Sequence, residues 1–182
     1  MIDLVYQNVK FEFFKVIVRK KSEICPSKDN FWQHILLIDF ALPAPEHIPT
    51  LTEVKFVSTK GEFKEIHLSE NQLAKIYDTL IYNLTLKTIY EIIDADQADA
   101  LESLIFNGWV NTINKGTGKN VNSCIVSIQV KKDEFKDINL SNVDPKVCFK
   151  NLKGIGSSKL IGITPIQPIM QINKIDKRFI PS

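Results

Sequence analysis

The residues best placed to do chemistry are Glu53 and Lys55 in "TLTEVKFVSTKG", residues 50–61, together with Asp39 in the preceding apolar run "ILLIDF". Many metal-dependent nucleases carry Glu-x-Lys on a strand about a dozen residues after an Asp. The two carboxylates hold a divalent cation, and the lysine steadies the attacked phosphate or its water. On this reading Asp39, Glu53 and Lys55 are the site of a self-contained PD-(D/E)xK-type nuclease with Mg as its ion. The competing reading is structural. Alternation along a strand turns residues i and i+2 to one face, so Glu53 and Lys55 form a solvated ion pair worth about 0–1 kcal/mol.

Other chemistry is sparse. Ser157 in "GIGSS" lacks the Gly-x-Ser-x-Gly elbow of a nucleophile and reads as loop. Lys115-Gly116-Thr117-Gly118-Lys119 has two glycines but no Gly-Lys-Ser/Thr ending, so a hairpin turn is expected rather than a phosphate loop. Asp94, Asp96, Asp99 and Glu102 gather in "DADQADALE" without the ligand order or central glycine of a calcium loop, and a solvated acidic face is expected. Phe106 and Trp109 could stack on bases, but both lie in an apolar run and read as core. Cys25, Cys124 and Cys148 are widely spaced with no Cys-x-x-Cys, which suits reduced thiols, and His34, His47 and His67 are equally scattered.

The 182 residues are 44% hydrophobic and 24% charged, enough for one buried core. No run approaches the roughly eighteen apolar residues of a membrane span, and "MIDLVYQNVKFEFF" has neither the basic start nor the cleavage site of a signal peptide. A cytoplasmic protein without a membrane partner is expected. Net charge is only +2, yet it is unevenly spread: residues 31–111 hold 5 Lys/Arg against 12 Asp/Glu, and residues 112–182 hold 12 against 5. Either the basic third faces a phosphate backbone, or it folds against the acidic middle and cancels it. Arg178 is the one arginine in that third suited to planar phosphate recognition.

The elements that must position these groups follow an α+β order. "KFEFFKVIVRK" fits both periods, and Phe11, Phe14 and Val18 incline it to helix. "WQHILLIDFAL" reads as a strand ended by "PAPEHIP", whose prolines disfavour helix and deny ladder donors. "TEVKFVS" and "FKEIHL" make a hairpin. Ser69-x-x-Gln72 is a capping box, opening a long helix to about Asp94 with Leu73, Ile76, Leu80, Leu84, Ile89, Ile92 and Ile93 as its stripe. Strands over 103–113 and 122–131 form a hairpin around Gly116 and Gly118. "VDPKVCFKNLKG" is a short helix capped by Asp144, with Pro145 in its first turn and Gly154 past its end. "GIGSSKL" reads as a loop and "PIMQINK" as a last short strand. The expected fold is thus a single α+β domain over 1–182, mainly antiparallel sheet with one long helix and one or two short ones.

Several of these pieces resemble a known family. "LIDFALPAPEHIPTLTEVKFV", the Phe-Asn-Gly-Trp hairpin with its Thr-Gly turn, the Val-Asp-Pro helix with "CFKNLKG", and the closing Asp-x-Arg-Phe resemble the non-catalytic accessory module of bacterial Mrr-type restriction endonuclease proteins. The likeness spans residues 35–180, and residues 1–34 match poorly. It implies a recognition or regulatory module that contacts DNA, a nuclease domain or another copy of itself. It also implies that cleavage belongs to a separate domain following the Asp-x-Arg-Phe element, so no catalytic residue of the family carries over to a position here. No cofactor is then expected, with Mg required only under the nuclease alternative. The candidate DNA-binding residues are Lys150, Lys153, Lys159 and Arg178. A free-standing interaction domain is the remaining class.

Overall fold

The computed structural model describes residues 14–20, 34–59, 61–114 and 116–171. Its strands are β1 Phe14–Lys20, β2 His34–Ala41, β3 Leu51–Val57, β4 Glu62–His67, β5 Ser103–Ile113, β6 Asn120–Lys131 and β7 Ile155–Gly156. The helices are α1 Glu70–Ala95, α2 Lys132–Lys136 and α3 Pro145–Asn151. Five strands form one sheet in the order β1-β2-β5-β6-β7, and β3 and β4 form a separate two-stranded ribbon. Every pairing in the large sheet is antiparallel except β2 with β5. A parallel pair needs a crossover connection, and here it carries the ribbon and α1. The fold is α+β with one long helix, as the residue patterns predict.

Helix α1 starts where its capping box stands: the Ser69 hydroxyl accepts from the Gln72 N–H, and the Ser69 N–H donates to the Gln72 side chain at 3.0 Å. Such a cap is worth about 1 kcal/mol. The apolar stripe is wider than its periodicity suggests, because Tyr77, Ile81, Tyr82, Thr85, Leu86 and Thr88 are buried beside Leu80, Leu84, Ile89 and Ile93. Thr85 is tolerated there because its hydroxyl donates to the Ile81 carbonyl. The sheet supplies Leu36, Ile38 and Phe40 of β2, Leu104, Phe106 and Val110 of β5, and Val126, Ile128 and Val130 of β6 to this core. These are alternate positions of strands in register, Ile38 beside Phe106 and Phe106 beside Ile128. The Tyr77 hydroxyl donates to the Pro43 carbonyl at 2.8 Å and ties α1 to the end of β2.

Four local expectations are corrected. Residues 14–20 form a strand, not a helix, pairing with the free edge of β2. The run Val16-Ile17-Val18 is stiff and β-branched, and an edge that offers a ladder outweighs a helical stripe. In "PAPEHIP" one turn of 3-10 helix does form at Pro45–His47, with the proline in its first turn where no N–H is needed. "GIGSSKL" contains β7, which pairs Gly156 with Val126 and Ile155 with Ser127. No strand crosses residues 168–171 of "PIMQINK"; residues 172–174 lie outside the described part. Pro165 and Pro168 remove donors there, and the segment is held by isolated bonds, Ile166 N–H to the Cys124 carbonyl and Ile169 N–H to the Ser127 hydroxyl.

Candidate nucleic-acid interface

Glu53 and Lys55 lie on the ribbon, and Asp39 lies in the large sheet. Glu53 and Lys55 pair at 3.3 Å with more than half of each side chain exposed. The ribbon is solvated on both faces: nearly all its side chains are exposed, including Val54, Phe56 and Phe63, and the two phenylalanine rings meet at 5.2 Å.

Asp39 is engaged elsewhere. Its Oδ1 accepts from Asn107 Nδ2 at 3.0 Å and from Trp109 Nε1 at 2.9 Å. Asn107 is fully buried; it also donates to the Met170 carbonyl and accepts from the Ser127 hydroxyl. Asp39, Asn107 and Ser127 are lateral neighbours on β2, β5 and β6, so register alone aligns a polar row on the sheet face away from α1. The row receives the 166–170 segment. Among the described residues no three His, Cys, Asp or Glu side chains come together to hold a metal ion.

The lopsided charge resolves in two ways. Part of the basic third does fold against the acidic middle. Lys132, 3% exposed, reaches Asp96 and Asp99, and Lys146 reaches Asp78 at 2.7 Å. The Asp96 carboxylate also accepts the Ala100 and Leu101 N–H groups. Hydrogen bonding from Lys132, then from the Leu101 backbone, holds its pKa down to about 2. This corrects the expectation of a wholly solvated acidic face: Asp94 and Asp99 are exposed, but Asp96 closes the C-terminal end of α1 over a buried lysine.

Lys150, Lys153 and Lys159 are the other part. All three are exposed and make no ion pair among the described residues. Asp144 caps α3 through the Val147 N–H at 2.9 Å, as expected. The left-handed position after α3 falls on Lys153, with φ 59°, and not on Gly154. Gly154 is needed for a different reason: a Cβ there would sit 2.5 Å from the Phe149 ring. Lys150 and Lys153 turn to different hollows. Lys150 lines one with Tyr82, Lys146 and Ser158, and Lys153 lines another with Lys131 and Gln129. Arg178 lies outside the described residues.

Ser157 is buried, and its hydroxyl donates to the Lys159 carbonyl, which makes it a loop brace. Cys124 and Cys148 are buried free thiols; burial, with Asp39 second, pushes Cys124 up to about 12, so it stays a protonated core residue. Cys25 lies outside the described residues. Among the described residues no helix is long and apolar enough to cross a membrane.

The residues missed in the sequence are Tyr82, Lys146 and Ser158. Lys146 stands over the Tyr82 ring at 5.8 Å, and that ring packs on Phe149 at a 5.0 Å centroid distance. Burial raises the Tyr82 phenol above its ordinary value, with Lys146 partly offsetting it, so the hydroxyl remains a donor. Tyr82 lies outside the stripe that the periodicity picks out, and nothing local in the sequence marks it. Comparison of the chain with family models, curated proteins and solved structures returns no match.

Proposed function

We propose that this chain is the non-catalytic recognition or regulatory module of a restriction-endonuclease-like protein of the cytoplasm, and that it contacts the DNA backbone through the surface around Gly154–Ser158. The observation that carries this reading is the set of three exposed lysines, Lys150, Lys153 and Lys159, which make no ion pair among the described residues. Their neighbours Lys132 and Lys146 are neutralised by acidic partners. Lysines act on phosphate as point charges, so contact through them carries no base information. Binding is then weak and sequence-independent, with log K falling against log salt at a slope of about −0.9 per phosphate neutralised.

Fluorescence anisotropy on labelled duplexes over a salt series tests this. Lys150→Glu, Lys153→Glu and Lys159→Glu together should abolish binding and flatten the salt slope. Absence of binding to duplex and single strands at low salt overturns it.

A second reading, contact with a nuclease domain or a second copy, is favoured by the β3–β4 ribbon. An isolated two-stranded hairpin is marginal in water, and this one exposes Val54, Phe56 and Phe63, the last at 75%. Light scattering over a concentration series checks self-association, and a strict monomer counts against it.

A further inference from the structure

We infer that the hollow enclosed by α1, α3 and the Gly154–Ser158 loop is a receptor for a single phosphate group carried on a nucleotide. This deepens the nucleic-acid reading above by giving the same basic surface a defined phosphate seat. The first observation is Tyr82, which is 4% exposed and lines the hollow. Its hydroxyl makes no hydrogen bond among the described residues; its contacts are the Phe149 ring and the Lys146 ammonium over its own ring. Buried polar groups are nearly always partnered. Phenylalanine would fill this place in the core without leaving a donor unmet, so the hydroxyl has a use that core packing does not supply.

The second observation is the chemistry around that hydroxyl. Lys150 lines the wall and makes no ion pair among the described residues. Lys146 is held beside it by Asp78 at 2.7 Å and keeps further ammonium protons to give. Ser158 adds a hydroxyl and a backbone N–H, neither of them partnered among the described residues. Gly156 borders the hydroxyl so closely that an added Cβ would lie 3.3 Å from the phenolic oxygen.

Two ammonium groups against one carboxylate leave a wall of net charge about +1, matched to one phosphate rather than a polyphosphate. Asp78 stands as an acceptor for a neighbouring hydroxyl or amino group of the ligand. The volume, about 280 Å³, is at the small end of ligand sites and holds a phosphate with an adjoining sugar. The phosphate has two sources, a free nucleoside monophosphate or the 5′ end of a nucleic-acid strand.

Isothermal titration of the full chain with deoxyadenosine monophosphate and with deoxyadenosine tests the seat. The nucleotide should bind, and the nucleoside should bind at least about tenfold more weakly, because hydrogen bonds to charged groups are the strong ones. Tyr82→Phe keeps the ring on Phe149 and should weaken the nucleotide about tenfold without lowering the thermal midpoint. Lys150→Gln should weaken it similarly. A 5′-phosphorylated single strand that binds better than its 5′-hydroxyl twin assigns a strand end; phosphate dependence confined to the mononucleotide assigns the free form. A parent chain that binds the nucleotide but no duplex at low salt removes the backbone reading alone. No nucleotide binding, equal binding of nucleotide and nucleoside, or a Tyr82→Phe protein that binds as well as the parent would overturn the seat and leave water as the hydroxyl's partner.

Discussion

The indole N–H of Trp109 donates to the Asp39 carboxylate at 2.9 Å, across the only parallel strand pair among the described residues. The same oxygen accepts from the buried Asn107 amide. Asp39 therefore serves as an acceptor that closes a polar row inside the fold.

Asp39→Asn keeps an acceptor oxygen and should cost under about 1 kcal/mol, whereas Asp39→Leu strands the indole and amide donors and should cost about 1–3 kcal/mol. Urea unfolding midpoints at unchanged m measure the difference. Equal losses would show that the hydrogen bonds do not set the stability.

Glu53→Ala should change stability by no more than about 0.5 kcal/mol, since both partners of the pair are more than half exposed. The purified chain, incubated with DNA and Mg or Mn, should cut nothing above background, before or after the substitution. Robust cleavage lost on Glu53→Ala would make Asp39, Glu53 and Lys55 a catalytic set.

Lys132→Met should lower the melting temperature by about 4 °C or more, because Asp96 keeps its buried position without its cation. The pH dependence follows from two opposite shifts. Asp96 is depressed from 3.8 to about 2, so its contribution is complete above about pH 4 and is lost as pH falls from there towards 2. Lys132 is raised by its bonds to Asp96 and Asp99, so its contribution is complete below its ordinary value and is lost as pH rises through the folded one. Melting curves between pH 5 and 2 should fall more steeply for the parent than for Lys132→Met. Parallel curves would remove Asp96 as the source.

Gly154→Ala should cost about 1–3 kcal/mol, because its Cβ would enter the Phe149 ring at 2.5 Å. Gly162→Ala is the control: its Cβ would meet nothing closer than 3.8 Å. Chemical denaturation of both proteins should separate them.

Elements whose signals lie within a few residues are legible in the amino-acid sequence by itself. The Ser69 and Gln72 box, the Asp144 cap with Pro145, and the hairpin turn where Gly118 has φ 65° each depend on bonds between near neighbours. The ion pair of Glu53 and Lys55 is local in the same way, fixed by strand alternation. The residue pattern also carries the α+β order and the wide separation of positive and negative charge.

Tertiary structure decided what adjacency in sequence does not encode. Residues 14–20 became a strand because β2 offered an edge. Which lysines kept free charge depended on which carboxylates came near: Asp78 lies 68 positions from Lys146, and Asp96 lies 36 from Lys132. Register brought Asp39, Asn107 and Ser127 into one row, and packing of α3 on α1 set Tyr82 beside Lys146. Such pairings are fixed by burial of apolar faces that lie far apart in the chain, and a hydrophobic face specifies that it will be covered without specifying by what.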